Sequence, residues 1–172
     1  MNNIYLVGFM GTGKSTIARR LQKFLPFQIV EMDEAIERVE AMTIPEIFEK
    51  KGEEGFRKAE SQLLAIIAKE KNQIISCGGG IVLKPENIAI MKESGTVVRL
   101  TSSAETIFER VNRNNNRPLV KGKGLSDIQK MISDREKYYA DAADIVVDSG
   151  EQSPDEVASE IVKQLALAGR LN

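Results

Sequence analysis

The chain has 172 residues, a length that suits one domain, 1–172, with a core of its own. Its 24 basic and 25 acidic side chains leave a net charge of −1, which excludes a global field attracting nucleic acid or a membrane surface. Histidine is absent and Cys77 is the single cysteine, so an intramolecular disulfide, a histidine proton shuttle and the usual His/Cys zinc sites are excluded.

The first apolar run, Ile4-Tyr5-Leu6-Val7, predicts a strand and leads straight into Gly8-Phe9-Met10-Gly11-Thr12-Gly13-Lys14-Ser15. That segment fills the G-x-x-x-x-G-K-[ST] phosphate-loop pattern, in which each position has a task. Glycines let backbone N–H groups turn toward phosphates, Lys14 reaches the β/γ oxygens, and the Ser15 hydroxyl suits magnesium. The helical pattern that follows, Ser15 to Leu25, has Ile17, Ala18, Leu21, Phe24 and Leu25 apolar and stops at Pro26. A strand before and a helix after are the context the motif requires, so a nucleoside triphosphate at a helix N-terminus is expected.

Gln28 to Met32 predicts the second strand, and Asp33 follows it. Two readings of Asp33 stand side by side: a carboxylate facing the crevice beyond the strand ends, or the N-cap of the next helix. Thr43-Ile44-Pro45-Glu46 is a capping box with a first-turn proline, and Gly52 closes the helix it opens. Another helix runs from about Gly52 to Lys69. On it Arg57 and Glu60 are three apart and share a face, so Glu60 can hold the guanidinium for a bidentate grip on a carboxylate. By spacing alone the pair reads as an ordinary exposed one.

Ile74 to Cys77 predicts the third strand, with Cys77 a small strand-end residue rather than a nucleophile. Gly78-Gly79-Gly80 at its end costs backbone entropy that a simple turn does not require, which suggests close approach of backbone to a ligand. Val97 to Thr101 predicts the fourth strand, and Ser102-Ser103-Ala104-Glu105 repeats the capping box. Asn112 to Gly124 reads as a long irregular loop. Residues 110–124 hold five basic and no acidic side chains, which points to a lid over phosphates, against the plainer reading of a solvated surface loop. Arg135, amid charges on a late helix, is by spacing alone an ordinary solvated arginine. Ile145 to Asp148 predicts the fifth strand and Ser153-Pro154-Asp155-Glu156 a last capped helix. Short apolar runs alternating with amphipathic stretches spell an α/β fold with a parallel sheet. No signal peptide or membrane span is read, since the N-terminal apolar run ends at a glycine loop, and a cytoplasmic location is expected.

Together these segments resemble the shikimate kinase family over nearly the whole chain. The marks are the phosphate loop, the aspartate after strand two, Gly-Glu-x-x-Phe-Arg-x-x-Glu at 52–60, the triple glycine at 78–80, Arg-Pro-Leu at 117–119 and Arg-x-x-Tyr-Tyr at 135–139. The resemblance implies a P-loop kinase fold with a five-stranded parallel sheet in order 2-3-1-4-5, a substrate-binding segment at 33–60 and a lid at 112–124. It implies that Asp33 contacts the substrate hydroxyl, Arg57 and Arg135 hold the shikimate carboxylate, Glu60 orients Arg57, and Gly78, Gly79 and Gly80 lie against the substrate. On the nucleotide side it implies Gly11, Thr12, Gly13, Lys14, Ser15 and Thr16 at the phosphates, Arg110 beside the adenine, Arg117 in the lid, and a loop near Gln152 and Pro154 over the base. One departure stands out: the family often has Asp-x-Asp after strand two, where this chain has Glu31-Met32-Asp33. Glu31 and Ser15 are the expected magnesium residues.

The activity implied is transfer of the γ-phosphoryl group of ATP, with Mg2+, to the 3-hydroxyl of shikimate, a step toward chorismate and aromatic amino acids. Lys14, Asp33 and Arg117 are the expected catalytic residues. A monomer with a small-molecule substrate and no nucleic-acid or membrane partner is expected. The rival readings are a related small-molecule kinase, acting on gluconate or a nucleoside monophosphate, and a nucleotide-dependent switch that phosphorylates no metabolite.

Overall fold

Short apolar runs are most stable as strands covered on both faces, and here five of them pair in parallel. The computed structural model describes residues 2–113 and 122–171. β1 (Asn3–Val7), β2 (Gln28–Glu31), β3 (Gln73–Ser76), β4 (Gly95–Thr101) and β5 (Ile145–Asp148) form one sheet in the order β2-β3-β1-β4-β5, as expected. β1 is central and buried at every position, with Ile4 opposite Ile74 of β3 and Thr96 of β4.

The pleat divides β1 between two cores. Ile4 and Leu6 pack with Ile17 and Leu21 of α1 (Lys14–Leu21) and with Val157 and Ile161 of α7 (Pro154–Leu167). Tyr5 and Val7 pack on the opposite face with Leu64 of α3 (Ile44–Ile67), Met91 of α4 (Pro85–Ser94) and Tyr139 of α6 (Leu125–Ala142). The strands therefore run parallel between two helical layers, and all their carboxyl ends open on one side.

Helix boundaries refine the sequence expectations. α1 ends at Leu21, and turns carry the chain across 22–25 to Pro26. β2 stops at Glu31, and Met32 opens α2 (Met32–Glu40). The N-cap of α2 is Glu31, in extended conformation and without a side-chain cap bond, so the reading of Asp33 as N-cap is corrected: Asp33 lies inside the first turn. Thr43 and Ser153 form the expected capping boxes with Glu46 and Glu156. The capping box expected at Ser102 does not form: the cap is Ser103, and its N3 residue is Thr106 rather than a glutamate. Ser103 caps α5 (Ala104–Asn112) by accepting from the Thr106 N–H, because Ser103 is the last extended residue before the helix. Gly52, at φ 68 and ψ −179, breaks α3 where the sequence places a helix end. Among the described residues no helix is long and apolar enough to cross a membrane.

Ile74 is fully buried in β3, between β2 and β1. Ile74→Ala is expected to lower unfolding free energy by about 2–5 kcal/mol, the range for a large-to-small change in a packed core. Urea unfolding followed by circular dichroism measures it.

Candidate active site

The phosphate loop leaves β1 at Gly8, whose φ is +150. A Cβ there would lie 2.5 Å from the Leu100 carbonyl oxygen of β4, so the loop can pass this close to the neighbouring strand only as glycine. The Thr12 hydroxyl donates to the Phe9 carbonyl at 2.8 Å and shapes the turn. Lys14 Nζ donates to the carbonyls of Gly8 at 2.8 Å and Phe9 at 3.0 Å, which holds the ammonium over the mouth of the loop. The N-cap of α1 is Gly13, at φ 88, with no side-chain cap bond and no acidic residue in the first turn. Its first-turn N–H groups and dipole are thus directed to an anion.

A cavity of about 380 Å³ runs from this loop, past Thr16 and Arg110, to Gln152 and Pro154. Arg110 Nη1 donates to the Gly11 carbonyl at 3.0 Å, and Nη2 reaches the Ser149 carbonyl at 3.5 Å. Ser149, which the sequence reading passed over, is buried just beyond β5. Its hydroxyl lies 2.6 Å from the Thr12 carbonyl and 3.1 Å from that of Thr101, tying the loop to the sheet. A serine beside a predicted strand carries no signal of such a role.

Ser15 and Glu31 meet. The Ser15 hydroxyl donates to Glu31 Oε2 at 2.8 Å and lies 3.3 Å from the Ser76 hydroxyl. Glu31 Oε1 is buried and has no hydrogen-bond partner among the described residues. An all-oxygen group of one hydroxyl and one carboxylate beside a phosphate site fits magnesium, a hard ion that uses few protein ligands and keeps several waters. No cluster of three or more His, Cys, Asp or Glu suited to a metal occurs among the described residues.

A second cavity, about 290 Å³, starts at the same Lys14 and Ser15 and extends past Glu31 and Asp33 to Gly78 and Gly79. Around its glycine wall the charged side chains converge. A Cβ at Gly78 would lie 2.7 Å from Glu60 Oε2 and 3.1 Å from Asp33 Oδ1; one at Gly80 would lie 2.3 Å from Arg57 Nη2. Arg135 Nη1 stands 3.8 Å from a Cβ at Gly79. None of these three glycines has a positive φ. At Gly78 and Gly80 smallness makes room for side chains of this chain, and at Gly79 for the phosphate-loop backbone, where a Cβ would lie 3.2 Å from the Met10 nitrogen.

Both bland readings of the arginines are overturned. Arg57 and Arg135 are each 8% exposed and Glu60 is 0% exposed, so Arg57–Glu60 is a buried pair, Arg135 is not solvated, and the Glu53 carboxylate, 3.6 Å from Arg57 Nη2, reaches Arg57 from the surface side. Arg57 Nη1 donates to Glu60 Oε1 at 3.0 Å, and the guanidinium packs 5.1 Å over the Phe56 ring. Arg135 packs 5.5 Å over the Phe9 ring. Arg57 Nε and Arg135 Nη1 are buried with no hydrogen-bond partner among the described residues. Buried donors of this kind are costly unless a ligand satisfies them. Burial pushes the Glu60 carboxyl above its usual range, against the pull of Arg57; the Asp33 carboxylate adds to the rise and Arg135 opposes it.

Cys77 follows β3, is buried, and its thiol is pushed far up by burial, which makes it inert as expected. Tyr139 was visible only as part of a motif; its hydroxyl donates to the Gly79 carbonyl, so it fixes the glycine wall from α6. Arg117, with most of the expected lid, lies outside the described residues.

A family model described as shikimate kinase matches residues 10–166. The shikimate kinase of Thermodesulfovibrio yellowstonii is 39% identical over 165 residues, covering 95% of this chain and 95% of that protein. The shikimate kinase of Persephonella marina is 41% identical over 165 residues, covering 96% of this chain and 99% of that protein. Among solved structures, a shikimate kinase from Acinetobacter baumannii in complex with shikimate gives a TM-score of 0.93 at 34% identity, covering 100% of this chain and 96% of that one. Agreement at this identity, carried from end to end of the fold, makes the chain a member of the shikimate kinase family.

Proposed function

We infer that this chain transfers the γ-phosphoryl group of ATP to the 3-hydroxyl of shikimate, giving shikimate 3-phosphate and ADP on the route to aromatic amino acids. The observation that carries this reading is the meeting of two cavities at Lys14 and Ser15, one behind the phosphate loop and one walled by Asp33 and the glycines. A phosphoryl group crossing between them passes the Lys14 ammonium. The arrangement supports one phosphotransferase unit, with 33–60 contributing to the acceptor site and 112–124 acting as lid.

Phosphoryl transfer through a loose transition state asks the protein mainly for position and opposing charge. The α1 N-terminus and Lys14 hold the β- and γ-phosphate oxygens. Ser15 and Glu31 hold magnesium, which neutralises phosphate charge when bound. Arg110, Gln152 and Pro154 enclose the base. Asp33 orients the acceptor hydroxyl and takes its proton late in the transfer. Arg57 and Arg135 offer buried donors to the shikimate carboxylate, and Glu60 fixes one arm of the Arg57 fork. Arg117 is assigned the lid cation on resemblance to the family alone. A monomeric, cytoplasmic enzyme with neither nucleic-acid nor membrane partner completes the reading.

The reading is tested by coupled ADP release with shikimate, gluconate and nucleoside monophosphates as acceptors. ADP formation that depends on shikimate is expected; turnover driven by another acceptor, or by none, overturns the assignment.

Asp33→Asn is expected to lower kcat by about two to four decades, the range for losing a positioned proton acceptor, with ATP affinity unchanged. Single-turnover ADP formation and nucleotide calorimetry check both parts. Gly80→Ala places a methyl group where the Arg57 guanidinium lies. The fold is expected to persist, because the guanidinium is the end of a flexible side chain, while the KM for shikimate rises about tenfold or more as a charge-assisted contact is displaced. Initial rates over a shikimate titration, with the KM for ATP as control, measure it.

A further inference from the structure

α6 carries Arg135, and a guanidinium can be aimed only as well as the helix beneath it is held. Arg99 of β4 donates Nη1 to Glu136 Oε1 at 2.8 Å and Nη2 to Oε2 at 2.6 Å, a two-pronged grip on the residue next to Arg135. The Arg99 side chain is 12% exposed and that of Glu136 56%, so the sheet supplies the fixed half of the pair. An ordinary surface ion pair contributes little because two long side chains must be immobilised for it. This one differs in two respects: the fork matches both carboxylate oxygens, and the guanidinium is stacked 5.2 Å over the Tyr139 ring. The Arg99 guanidinium, hydrogen-bonded to Glu136, holds that carboxyl below its usual range, so the pair is ionised at neutral pH.

The contacts continue into the site. Arg135 and Tyr139 are four apart and share a helix face, so one rotation of α6 sets both. Tyr139 donates to the Gly79 carbonyl, and Arg135 stands against the same glycine. In the sheet register Arg99 is opposite Val7, the residue that leads into the phosphate loop. Neither Arg99 nor Glu136 lines the acceptor cavity.

We propose that the Arg99–Glu136 pair is a positioning element for the acceptor carboxylate: it fixes the rotation of α6 and, through Arg135 and Tyr139, sets how tightly a carboxylate-bearing acceptor is held. The proposal rests on the reading of Arg135 as a carboxylate ligand. It extends that reading to two residues that touch no substrate.

The test compares wild type with Arg99→Lys and Glu136→Gln, using shikimate and an analogue bearing a hydroxymethyl group in place of the carboxylate. Lysine keeps the charge but has no fork, and glutamine keeps the shape of Glu136 without its charge. The KM for shikimate is expected to rise about three- to thirtyfold, with kcat and the KM for ATP within about twofold, the scale of a perturbed packed contact chain. Preference for shikimate over the analogue falls in step, and the double variant loses little beyond either single one, because the residues act as a unit. A lower Tm with an unchanged KM for shikimate and unchanged preference overturns the proposal, leaving the pair a structural tie. Glu136 is exposed, so Glu136→Gln keeps the test open if Arg99→Lys fails to fold. Arg135→Ala separates the two levels: if it keeps the full preference, the carboxylate reading fails and the proposal with it. If it loses the preference while Glu136→Gln keeps it, the proposal alone fails.

Discussion

A guanidinium held almost dry, against a carboxylate that is fully buried, is the constraint around which the acceptor side is built. Removing both charges from water is expensive, and the attraction between Arg57 and Glu60 offsets that cost only with close geometry and further hydrogen bonds. Glu60 satisfies one edge of the guanidinium. Arg57 Nε and Glu60 Oε2 remain without hydrogen bonds among the described residues, and Gly78 and Gly80 are glycines because these two side chains press directly on them. A site of this kind is a poor way to stabilise a fold and a good way to recognise an anion of fixed shape. A carboxylate placed against Arg57 and Arg135 would meet buried donors that the protein has already desolvated.

The phosphate side solves a similar problem with backbone. Gly8 lets β1 deliver the loop within van der Waals distance of β4, and the uncapped first turn of α1 supplies fixed donors without a desolvated side chain. Both halves depend on the parallel sheet, because β1, β2 and β3 release Gly8, Asp33 and Gly78 at the same edge. Lys14 and Ser15 then belong to both cavities, so one loop serves the two sides of the site.

Much of this was legible in the chain, for identifiable reasons. The five strands were visible as apolar runs, and Gly52 and the boxes at Thr43 and Ser153 marked helix ends, since these signals are local. The box read at Ser102 does not form, because Ser102-x-x-Glu105 fits the pattern while the backbone makes the next serine, Ser103, the last extended residue and the cap. Spacing could not reveal the burial of Arg57 and Arg135, which is decided by what α3 and α6 pack against; the family motifs raised it, and the contacts with Phe56, Phe9 and the glycines explain it. Arg99, Glu136 and Ser149 carried no signal at all. Their partners are far along the chain, and nothing in single-residue chemistry distinguishes them from solvated neighbours.

Glu31 shows how a departure from a family pattern gains meaning from geometry. As the N-cap of α2 it ends β2 in an extended conformation, but its carboxylate caps nothing and turns instead to Ser15. Glutamate carries one methylene more than the aspartate common in the family, and it makes a direct 2.8 Å hydrogen bond to the serine hydroxyl. The hydroxyl is thereby oriented, and its proton has an acceptor close by. Relative to that aspartate the negative charge is kept and the reach is longer, and in this chain the reach brings a carboxylate onto Ser15.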